Sequence, residues 1–287
     1  MSFARTVGHY SSLVKLSHTV FALPFALAAA LLATRYAELT VKKLLLIVLC
    51  IASARTAAMA FNRLVDRHID AKNPRTQQRE IPAGVLSPGA VRGLVVASCA
   101  VFVASAAALG RLPLVLSPIV LVVLLGYSFT KRFTSLCHLV LGVAVALAPG
   151  GAWIAMGAPV TIAPWLMVIG VASWVAGFDI LYSLQDHQFD RAERLHSIPV
   201  ALGVVGALWL SGGLHVVTVA CLLGAGLALG TGWPYTLGVG LIGAILVYEH
   251  AIVRPSDLSR IDRAFFDLNG YVSLAFLACV VVDQVLA

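Results

Sequence analysis

Charged residues are scarce in this sequence. Asp, Glu, Lys and Arg make up 11% of its 287 residues, and hydrophobic residues make up 60%. A soluble globular domain has about 25% charged and about 45–50% apolar residues. Apolar runs recur along the whole chain, and each is long enough to cross a hydrocarbon core of about 30 Å. The composition therefore excludes a soluble domain and predicts an integral membrane protein, with the lipid bilayer as its surroundings.

Paired cysteines and nucleic-acid-binding signatures are also missing. The five cysteines are scattered singly and no C-x-x-C occurs, so neither a zinc site nor a disulfide framework is expected. The net charge of +7 comes without a basic helix or a base-stacking module, which argues against a nucleic-acid partner. The positive charge is better explained by membrane topology. No protein partner can be inferred.

The apolar runs predict an all-α membrane protein, because continuous apolar stretches form spanning helices whereas alternating ones form barrels. We expect nine transmembrane helices in a single domain over residues 1–287, with polar active-site loops at about 65–88 and 185–199. The predicted spans are residues 18–35, 43–64, 90–109, 113–130, 135–156, 163–184, 200–230, 233–252 and 268–286.

Lys and Arg are unequally divided between the two sides of this topology. With the N-terminus inside, fifteen of them fall on the inner side and four on the outer side, and Arg55 lies within the second span. The positive-inside rule then places the fifteen in the cytoplasm. Both polar loops fall on that side. We therefore expect a multi-pass protein of the cytoplasmic (inner) membrane with its active site facing the cytoplasm.

One polar stretch interrupts the apolar pattern at the end of the second span. Asn62, Asp66 and Asp70 recur at every fourth residue, so on a helix they share one face. Two carboxylates and an amide offer the hard oxygen ligands that Mg²⁺ prefers. Arg63 lies beside them in the sequence and Arg79 follows closely.

A second acidic stretch follows 120 residues later, at the end of the sixth span. Asp186 and Asp190 repeat the four-residue spacing, with Tyr182 one step earlier and Asp179 inside the span. Four spans separate the two stretches, so we expect two pseudo-repeated four-helix units plus a ninth helix. An aspartate at the depth of Asp179 is hard to explain structurally and favours a function.

Two facing acidic pairs would repel each other unless cations lay between them. Mg²⁺ often binds one or two carboxylates together with substrate phosphates, so a diphosphate held by two metal sites would satisfy both pairs. Lys131, Arg132 and the arginines of the first stretch could neutralise the remaining phosphate charge. A substrate with a diphosphate head and a long hydrocarbon tail fits such a site. Its ionisation would leave an allylic carbocation for an electron-rich partner.

Some of these side chains also have a structural explanation. Tyr127 and Lys131, four residues apart, would also serve as an anchor pair at the membrane interface. Arg55 could snorkel or bind backbone carbonyls within the bundle. His18, near the start of the first span, could be a buried histidine that is satisfied by a hydrogen bond.

The motifs resemble those of the UbiA superfamily of intramembrane prenyltransferases. Residues 62–84 are similar to its first aspartate-rich motif, 127–132 to its Y-x-x-x-K motif and 179–190 to its second aspartate-rich motif. The resemblance covers essentially the whole chain. It implies nine helices around a central cavity, dependence on Mg²⁺, and transfer of a polyprenyl group from its diphosphate to an aromatic ring. It also implies metal and diphosphate ligands at Asn62, Asp66, Asp70, Asp186 and Asp190, with Tyr127, Lys131 and Arg132 assisting the diphosphate. We expect Arg63, Arg79 and Tyr182 to bind substrate as well.

Two acceptors remain open within this resemblance. The chain is similar to bacterial 4-hydroxybenzoate polyprenyltransferases of ubiquinone synthesis, but these carry arginines and an Arg-Pro pair where this chain has Lys15-Leu-Ser-His18. That stretch, with Gly177-Phe-Asp179, looks more like the branch proposed for menaquinone synthesis through futalosine. The acceptor of that branch would be 1,4-dihydroxy-6-naphthoate. Lys15, His18 and Asp179 would then recognise or deprotonate the acceptor.

Two other classes of membrane protein share some of these features. A CDP-alcohol phosphotransferase also uses membrane-embedded aspartates and a divalent metal. Its Asp-Gly-containing run is missing here, since Arg67 follows Asp66 and Ala71 follows Asp70. A non-catalytic transporter needs a through-route, whereas the charged residues of this chain crowd one side of the membrane.

Overall fold

The protein is built from helices joined by turns. A computed structural model describes residues 3–14, 19–255 and 257–286, and over these residues it contains no strand beyond an isolated bridge between Arg254 and Asp257. The all-α prediction is confirmed. The helices are α1 (Phe3–Val14), α2 (Thr19–Leu32), α3 (Val41–Asp70), α4 (Pro88–Leu109), α5 (Arg111–Thr130), α6 (Cys137–Met156), α7 (Ile162–Ser183), α8 (His187–Ala192), α9 (Ile198–Leu229), α10 (Trp233–Ile252), α11 (Ile261–Arg263) and α12 (Asn269–Leu286).

Within the described ranges, eight helical segments are long and apolar enough to cross a membrane. They confirm eight of the predicted spans, while the remaining apolar helix, Phe21–Arg35, is shorter. The count of nine therefore stays a prediction. The eight segments are Val41–Asp70, Pro88–Leu109, Arg111–Thr130, Cys137–Met156, Ile162–Ala192, Ile198–Leu229, Trp233–Ile252 and Ala264–Leu286.

The helix ends follow the local sequence. Ser87 caps α4, because its Oγ accepts a hydrogen bond of 3.2 Å from the backbone N–H of Ala90. Pro88, at the first helical position, has no N–H to leave unpaired there. Gly230 ends α9 with φ +62°, a left-handed conformation that glycine adopts without steric penalty. Gly203, with φ +69°, breaks the regular geometry inside α9.

The extents of the two predicted polar loops, 65–88 and 185–199, are wrong. Helix α3 continues through Asp70, and a 3₁₀ turn (Leu184–Asp186) and α8 occupy most of the second range. At 1.5 Å per residue, the 30 residues of α3 extend about 45 Å, longer than a hydrocarbon core of about 30 Å. A fall in hydropathy indicates where a span leaves the membrane, but it does not end the helix, because the backbone hydrogen bonds of a helix can continue into water. The acidic residues therefore lie on helices.

The described residues divide into two compact units. One contains residues 3–14, 19 and 44–129, and the other contains 20–43, 130–255 and 257–286. In the first unit, Leu13 and Val14 of α1 belong to a buried cluster with Ala60 of α3 and Val91 of α4. The short helix α1 therefore packs against α3 next to the first acidic stretch.

The second unit has an aromatic core that joins its first and last helices. Phe25 of α2 lies with its ring centroid 5.0 Å from that of Trp174 on α7 and 5.0 Å from that of Phe276 on α12. Helix α2 thus belongs with the helices of the second half of the chain. The predicted single domain and four-helix repeat are not tested by this division and stay predictions.

Candidate active site

Helix α3 presents the first acidic stretch on one face near its C-terminal end. Asn62, Asp66 and Asp70 lie on successive turns of this continuous helix. Both carboxylates are buried, with 2% of Asp66 and 4% of Asp70 exposed. A buried carboxylate is unfavourable unless it is hydrogen-bonded, paired with a charge or bound to a metal. The contacts of these groups therefore show what the site still requires.

The contacts account for only part of this requirement. Asn62 Nδ2 donates a hydrogen bond of 3.2 Å to Asp66 Oδ2. Arg79 Nη1 donates to Asp70 Oδ1 at 2.7 Å. The second oxygen of that carboxylate, Asp70 Oδ2, is buried and has no hydrogen-bond partner among the described residues. Asp70 therefore presents an open ligand atom.

Turns after α3 bring Arg79 back to the acidic face. Thr76 Oγ1 donates to the Asp70 carbonyl at 3.1 Å. The Asn73 side chain accepts a hydrogen bond of 2.9 Å from the Arg75 backbone N–H, which is the local closure typical of an Asx turn. The Arg79 N–H then donates to the Thr76 carbonyl at 3.0 Å. The pairing of Arg79 with Asp70 is thus fixed by backbone geometry.

Two arginines of α3 lie on or near this face. Arg63 is 7% exposed and lies within electrostatic range of Asp70, Arg79 and Tyr127. Arg55 interacts electrostatically with Tyr127. The Nε atoms of Arg55 and Arg63 are buried, and neither has a hydrogen-bond partner in the described part of the chain. A guanidinium with an open donor is suited to an incoming anion.

The second acidic stretch lies where α7 passes into α8. Asp186 is the last residue of the 3₁₀ turn that joins them, and Asp190 lies in α8. Asp190 interacts electrostatically with Asp186, Lys131 and His138. The two carboxylates are close enough to repel each other, and Lys131 supplies a compensating positive charge. A bound cation would relieve the remaining repulsion.

The connection from α5 to α6 is held against this stretch. The backbone N–H of His196 donates to the Lys131 carbonyl at 2.8 Å. The Cys137 Sγ donates a weak hydrogen bond of 3.6 Å to the His196 carbonyl. Since His196 lies in the connection between α8 and α9, these two bonds tie the segment that carries Lys131 to the connection that follows the second acidic stretch.

Asp179 has a partner that the sequence interpretation missed. His138 Nδ1 and Asp179 Oδ2 are 2.7 Å apart, joining the start of α6 to α7. The predicted importance of Asp179 rested on its depth in a span, and His138 received no role. His138 stands at the start of an apolar run, and this position was the available signal of a role. Its pairing with Asp179 spans 41 residues and leaves no periodic pattern in the sequence.

Comparisons with known proteins agree with this arrangement of motifs. The sequence profile of the UbiA prenyltransferase family matches residues 22–279. The chain belongs to the UbiA prenyltransferase family. The match includes both acidic stretches and the segment around Lys131, and it excludes the two alternative classes, the CDP-alcohol phosphotransferase and the transporter.

Several members of the family are similar over most of their length. A 4-hydroxybenzoate octaprenyltransferase of Vibrio cholerae is 29% identical over 245 residues, covering 84% of each chain. The corresponding enzyme of Chromohalobacter salexigens is 28% identical over 236 residues, covering 82% of this chain and 78% of that one.

Solved structures of the family share the fold. The apo structure of a UbiA homologue from Aeropyrum pernix K1 has a TM-score of 0.85 and 36% identity, covering 93% of this chain and 98% of that one. A homologue from Archaeoglobus fulgidus bound to GPP and Mg²⁺ has a TM-score of 0.77 and 20% identity, covering 96% of this chain and 99% of that one. The second likeness shows the fold alone.

The remaining predicted site residues differ in their accessibility. Tyr127 and Lys131 are partly buried, whereas Arg132 is exposed. The Tyr182 ring stacks on Phe265 with centroids 4.0 Å apart, so this tyrosine is at least partly a packing residue. The predicted acceptor residues Lys15 and His18 lie outside the described residues.

The ligand atoms of the two stretches fit Mg²⁺ only together with a further oxygen donor. Over the described residues, no group of three or more His, Cys, Asp or Glu side chains could hold a metal ion. Mg²⁺ usually takes one or two carboxylates and completes its shell with water and substrate phosphates. The open Asp70 Oδ2 and the neighbouring hard oxygens are consistent with that mode of binding.

Proposed function

We propose that the protein transfers a polyprenyl group from polyprenyl diphosphate to an aromatic carboxylic acid in quinone biosynthesis, releasing diphosphate. The observation that carries this proposal is the buried acidic face of α3, where Asp66 and Asp70 are 2% and 4% exposed, in a chain of the UbiA prenyltransferase family. The relatives named 4-hydroxybenzoate octaprenyltransferase support an aromatic acceptor and a polyprenyl donor. The homologue bound to GPP and Mg²⁺ supports the diphosphate and the metal.

In this proposal, two groups of side chains hold the head of the donor. Bound Mg²⁺ would neutralise the charge that develops on the departing diphosphate. The basic and phenolic side chains would contact the phosphate oxygens, with each arginine able to donate in a bidentate manner. The ligands of the metal would be Asn62, Asp66, Asp70, Asp186 and Asp190, and the diphosphate contacts would be Arg63, Arg79, Tyr127, Lys131 and Arg132.

The reaction breaks one bond and forms another. The bond between C1 of the prenyl chain and the diphosphate oxygen breaks, and the electron pair leaves with diphosphate. A ring carbon of the acceptor then bonds to C1, and the same carbon loses its proton to restore aromaticity. Burial of the acidic face of α3 supports this chemistry, because a low dielectric strengthens charge interactions and excluded water cannot capture the carbocation.

Two acceptors compete within this proposal. The names of the relatives favour 4-hydroxybenzoate. The Lys15–His18 stretch and Gly177-Phe-Asp179, which resemble the menaquinone branch, favour 1,4-dihydroxy-6-naphthoate. Both are aromatic carboxylates with a ring hydroxyl. One site with a cation to bind the carboxylate and a hydrogen-bond acceptor to bind the hydroxyl would therefore suit either compound.

The experiment incubates membranes containing the protein with Mg²⁺, an all-trans polyprenyl diphosphate and both acids together, and identifies the product by mass. We expect one prenylated acid and diphosphate in equal amounts. Asp66→Asn should abolish the product. Asp257→Asn is the matched control, because Asp257 is an exposed carboxylate in the loop after α10. Prenylation of neither acid by the wild type, or full activity of Asp66→Asn, would contradict the proposal.

We also propose nine membrane crossings, with α2 as the short one, and an active site that faces the cytoplasm. The distribution of Lys and Arg supports this orientation. Gln77 is an exposed residue of the turns after α3. A Gln77→Cys variant in a cysteine-free background should react with an impermeant maleimide in inverted vesicles and stay unlabelled in intact cells. The reverse labelling would contradict the orientation.

A further inference from the structure

The pair of His138 and Asp179 has an unusual order of burial. The His138 side chain is 5% exposed and the Asp179 side chain is 22% exposed. In the familiar catalytic pair of histidine and aspartate, the carboxylate lies behind the imidazole and orients it. Here the imidazole lies behind and the carboxylate is the accessible group. Of the two side chains, Asp179 is therefore the one that a ligand can reach, and His138 is the one behind it.

The hydrogen bond fixes which atoms remain for a ligand. Because a carboxylate oxygen is the acceptor, the proton of this bond belongs to His138 Nδ1. Asp179 Oδ2 is thereby occupied, at 2.7 Å. Within the described part of the chain, no donor other than His138 is bonded to Asp179, so Oδ1 is available to a ligand that carries an O–H.

The backbone around the pair is closely packed. Gly142 lies one turn after His138 on α6, and a methyl group there would clash with the Ala172 carbonyl of α7 and press on Ala176. Helices α6 and α7 therefore approach without a side chain between them at this point. Such contact leaves little freedom for the separation of His138 and Asp179.

The position of Asp179 along α7 suggests which part of the substrate it meets. Asp179 and Asp186 are seven residues apart, a rise of about 10 Å toward the apolar part of the span. If Asp186 holds the diphosphate, Asp179 lies on the side of the prenyl chain and the acceptor ring. A carboxylate there fits a ring hydroxyl better than it fits the anionic phosphate.

We propose that His138 is a positioning residue that holds Asp179 so that its free oxygen accepts a hydrogen bond from the ring hydroxyl of the aromatic acceptor. This inference rests on the proposed prenyl transfer. It adds a residue that acts through Asp179 and does not itself touch the substrate. An acceptor analogue that lacks the ring hydroxyl cannot make this contact with Asp179. Its binding should therefore be unaffected by substitution of His138.

The experiment compares His138→Ala, His138→Asn and His138→Gln in the full-length protein in membranes, with Mg²⁺, a polyprenyl diphosphate and the acid that the wild type prenylates. The amide N–H of Asn reaches about the position of the histidine Nδ1, whereas that of Gln reaches about the position of Nε2. Loss of a hydrogen bond to a charged group corresponds to roughly a 10–100-fold change. We expect His138→Ala and His138→Gln to raise the acceptor KM or lower kcat by that factor, and His138→Asn to recover most of it.

The KM for polyprenyl diphosphate should change less than about twofold in all three variants, because the diphosphate site is not involved. A structural role alone would lower the yield of folded protein without this split between substrates and without rescue by Asn. If His138→Ala does not fold, the comparison of Asn with Gln still decides. Wild-type activity in His138→Gln, or equal losses in Asn and Gln, would overturn the role of His138. Absence of product from the wild type would instead overturn the proposed function.

Discussion

A buried hydrogen-bond network outside the candidate site predicts a measurable loss of stability. Asn269, at the start of α12, is fully buried. Its Oδ1 accepts a hydrogen bond of 2.7 Å from Trp174 Nε1 on α7, and its Nδ2 donates to Glu249 Oε1 on α10 at 3.1 Å. One side chain therefore links three helices of the second unit. Asn269→Leu keeps a similar volume and removes both links between helices, together with the bonds from Nδ2 to the Ala264 and Phe265 carbonyls just before α12.

The two lost bonds between helices set the size of the effect. In water-soluble proteins, an orphaned buried donor or acceptor costs about 1–3 kcal/mol, which would give about 2–6 kcal/mol for Trp174 and Glu249 together. Hydrogen bonds between membrane helices contribute about 0.6 kcal/mol on average and about 1.7 kcal/mol at most, because the unfolded helices find other partners in the bilayer. The membrane values apply here, so we expect Asn269→Leu to lower the free energy of unfolding by about 1–3 kcal/mol.

The assay is reversible unfolding by sodium dodecyl sulphate in mixed micelles, followed by circular dichroism. Thr218→Val is the matched control, since Thr218 is fully buried and its one hydrogen bond within the described ranges goes to the Leu214 carbonyl of its own helix, at 3.0 Å. That change should alter the free energy of unfolding by less than about 0.5 kcal/mol, because such a bond hardly stabilises a helix. Equal losses in the two variants, or none in Asn269→Leu, would refute the network as a source of stability.

Four further outcomes are expected. Asp66→Ala and Asp186→Ala should each lower prenyl transfer by at least about 100-fold with unchanged protein on an immunoblot, and activity within tenfold of wild type would contradict their role. Asp283→Leu removes both the acceptor of the Gly232 backbone N–H at 2.7 Å and the ion-pair partner of Arg35 at 3.3 Å, and it should lower the free energy of unfolding by about 1–3 kcal/mol without altering either KM. Gly142→Ala should lower the midpoint of detergent unfolding, because its methyl group meets a carbonyl of α7, and an unchanged midpoint would count against that close approach. Mg²⁺ and inorganic diphosphate should each raise the affinity for the other at least about tenfold in titration calorimetry, whereas independent binding would contradict a shared site.

The sequence was sufficient to predict the helical fold and the faces of its helices. Continuous apolar runs gave eight spans that the structure bears out, because length and composition determine whether a helix can cross a bilayer. The spacing of Asn62, Asp66 and Asp70 placed three polar groups on one face, since the helical period relates residues of one helix. Predictions of this kind need no knowledge of how the helices pack.

Pairings between helices were not predictable in the same way. His138 bonds to Asp179 across 41 residues and Asn269 bonds to Trp174 across 95. These contacts depend on which helices are neighbours and how each is rotated, and one sequence carries no periodic trace of either. Glu249 was the available hint, because an acidic residue in an apolar span requires a partner, but the sequence could not name Asn269 as that partner.

The boundaries of the polar loops failed for a different reason. The predicted loop at 65–88 began where hydropathy falls, yet α3 continues to Asp70. A helix can continue into water on its backbone hydrogen bonds alone. The length of an apolar run reflects the thickness of the membrane, so its end does not mark the end of the helix. The difference matters for the site, because the continuation of α3 places Asp66 and Asp70 on a helix and not in a loop. Loop residues would hold a metal and a diphosphate less precisely.

The unsatisfied atoms of the first acidic face point to a ligand of mixed charge. Among the residues that the structure describes, Asp70 Oδ2 is a buried acceptor without a hydrogen-bond partner, and Arg63 Nε is a buried donor without one. A cation alone would satisfy Asp70 and be repelled by Arg63, while an anion alone would do the reverse. A metal bound to an anion satisfies both atoms, because the metal binds Asp70 Oδ2 while the anion accepts a hydrogen bond from Arg63 Nε. This reciprocal requirement is the physical reason to expect that Mg²⁺ and diphosphate each increase the affinity for the other.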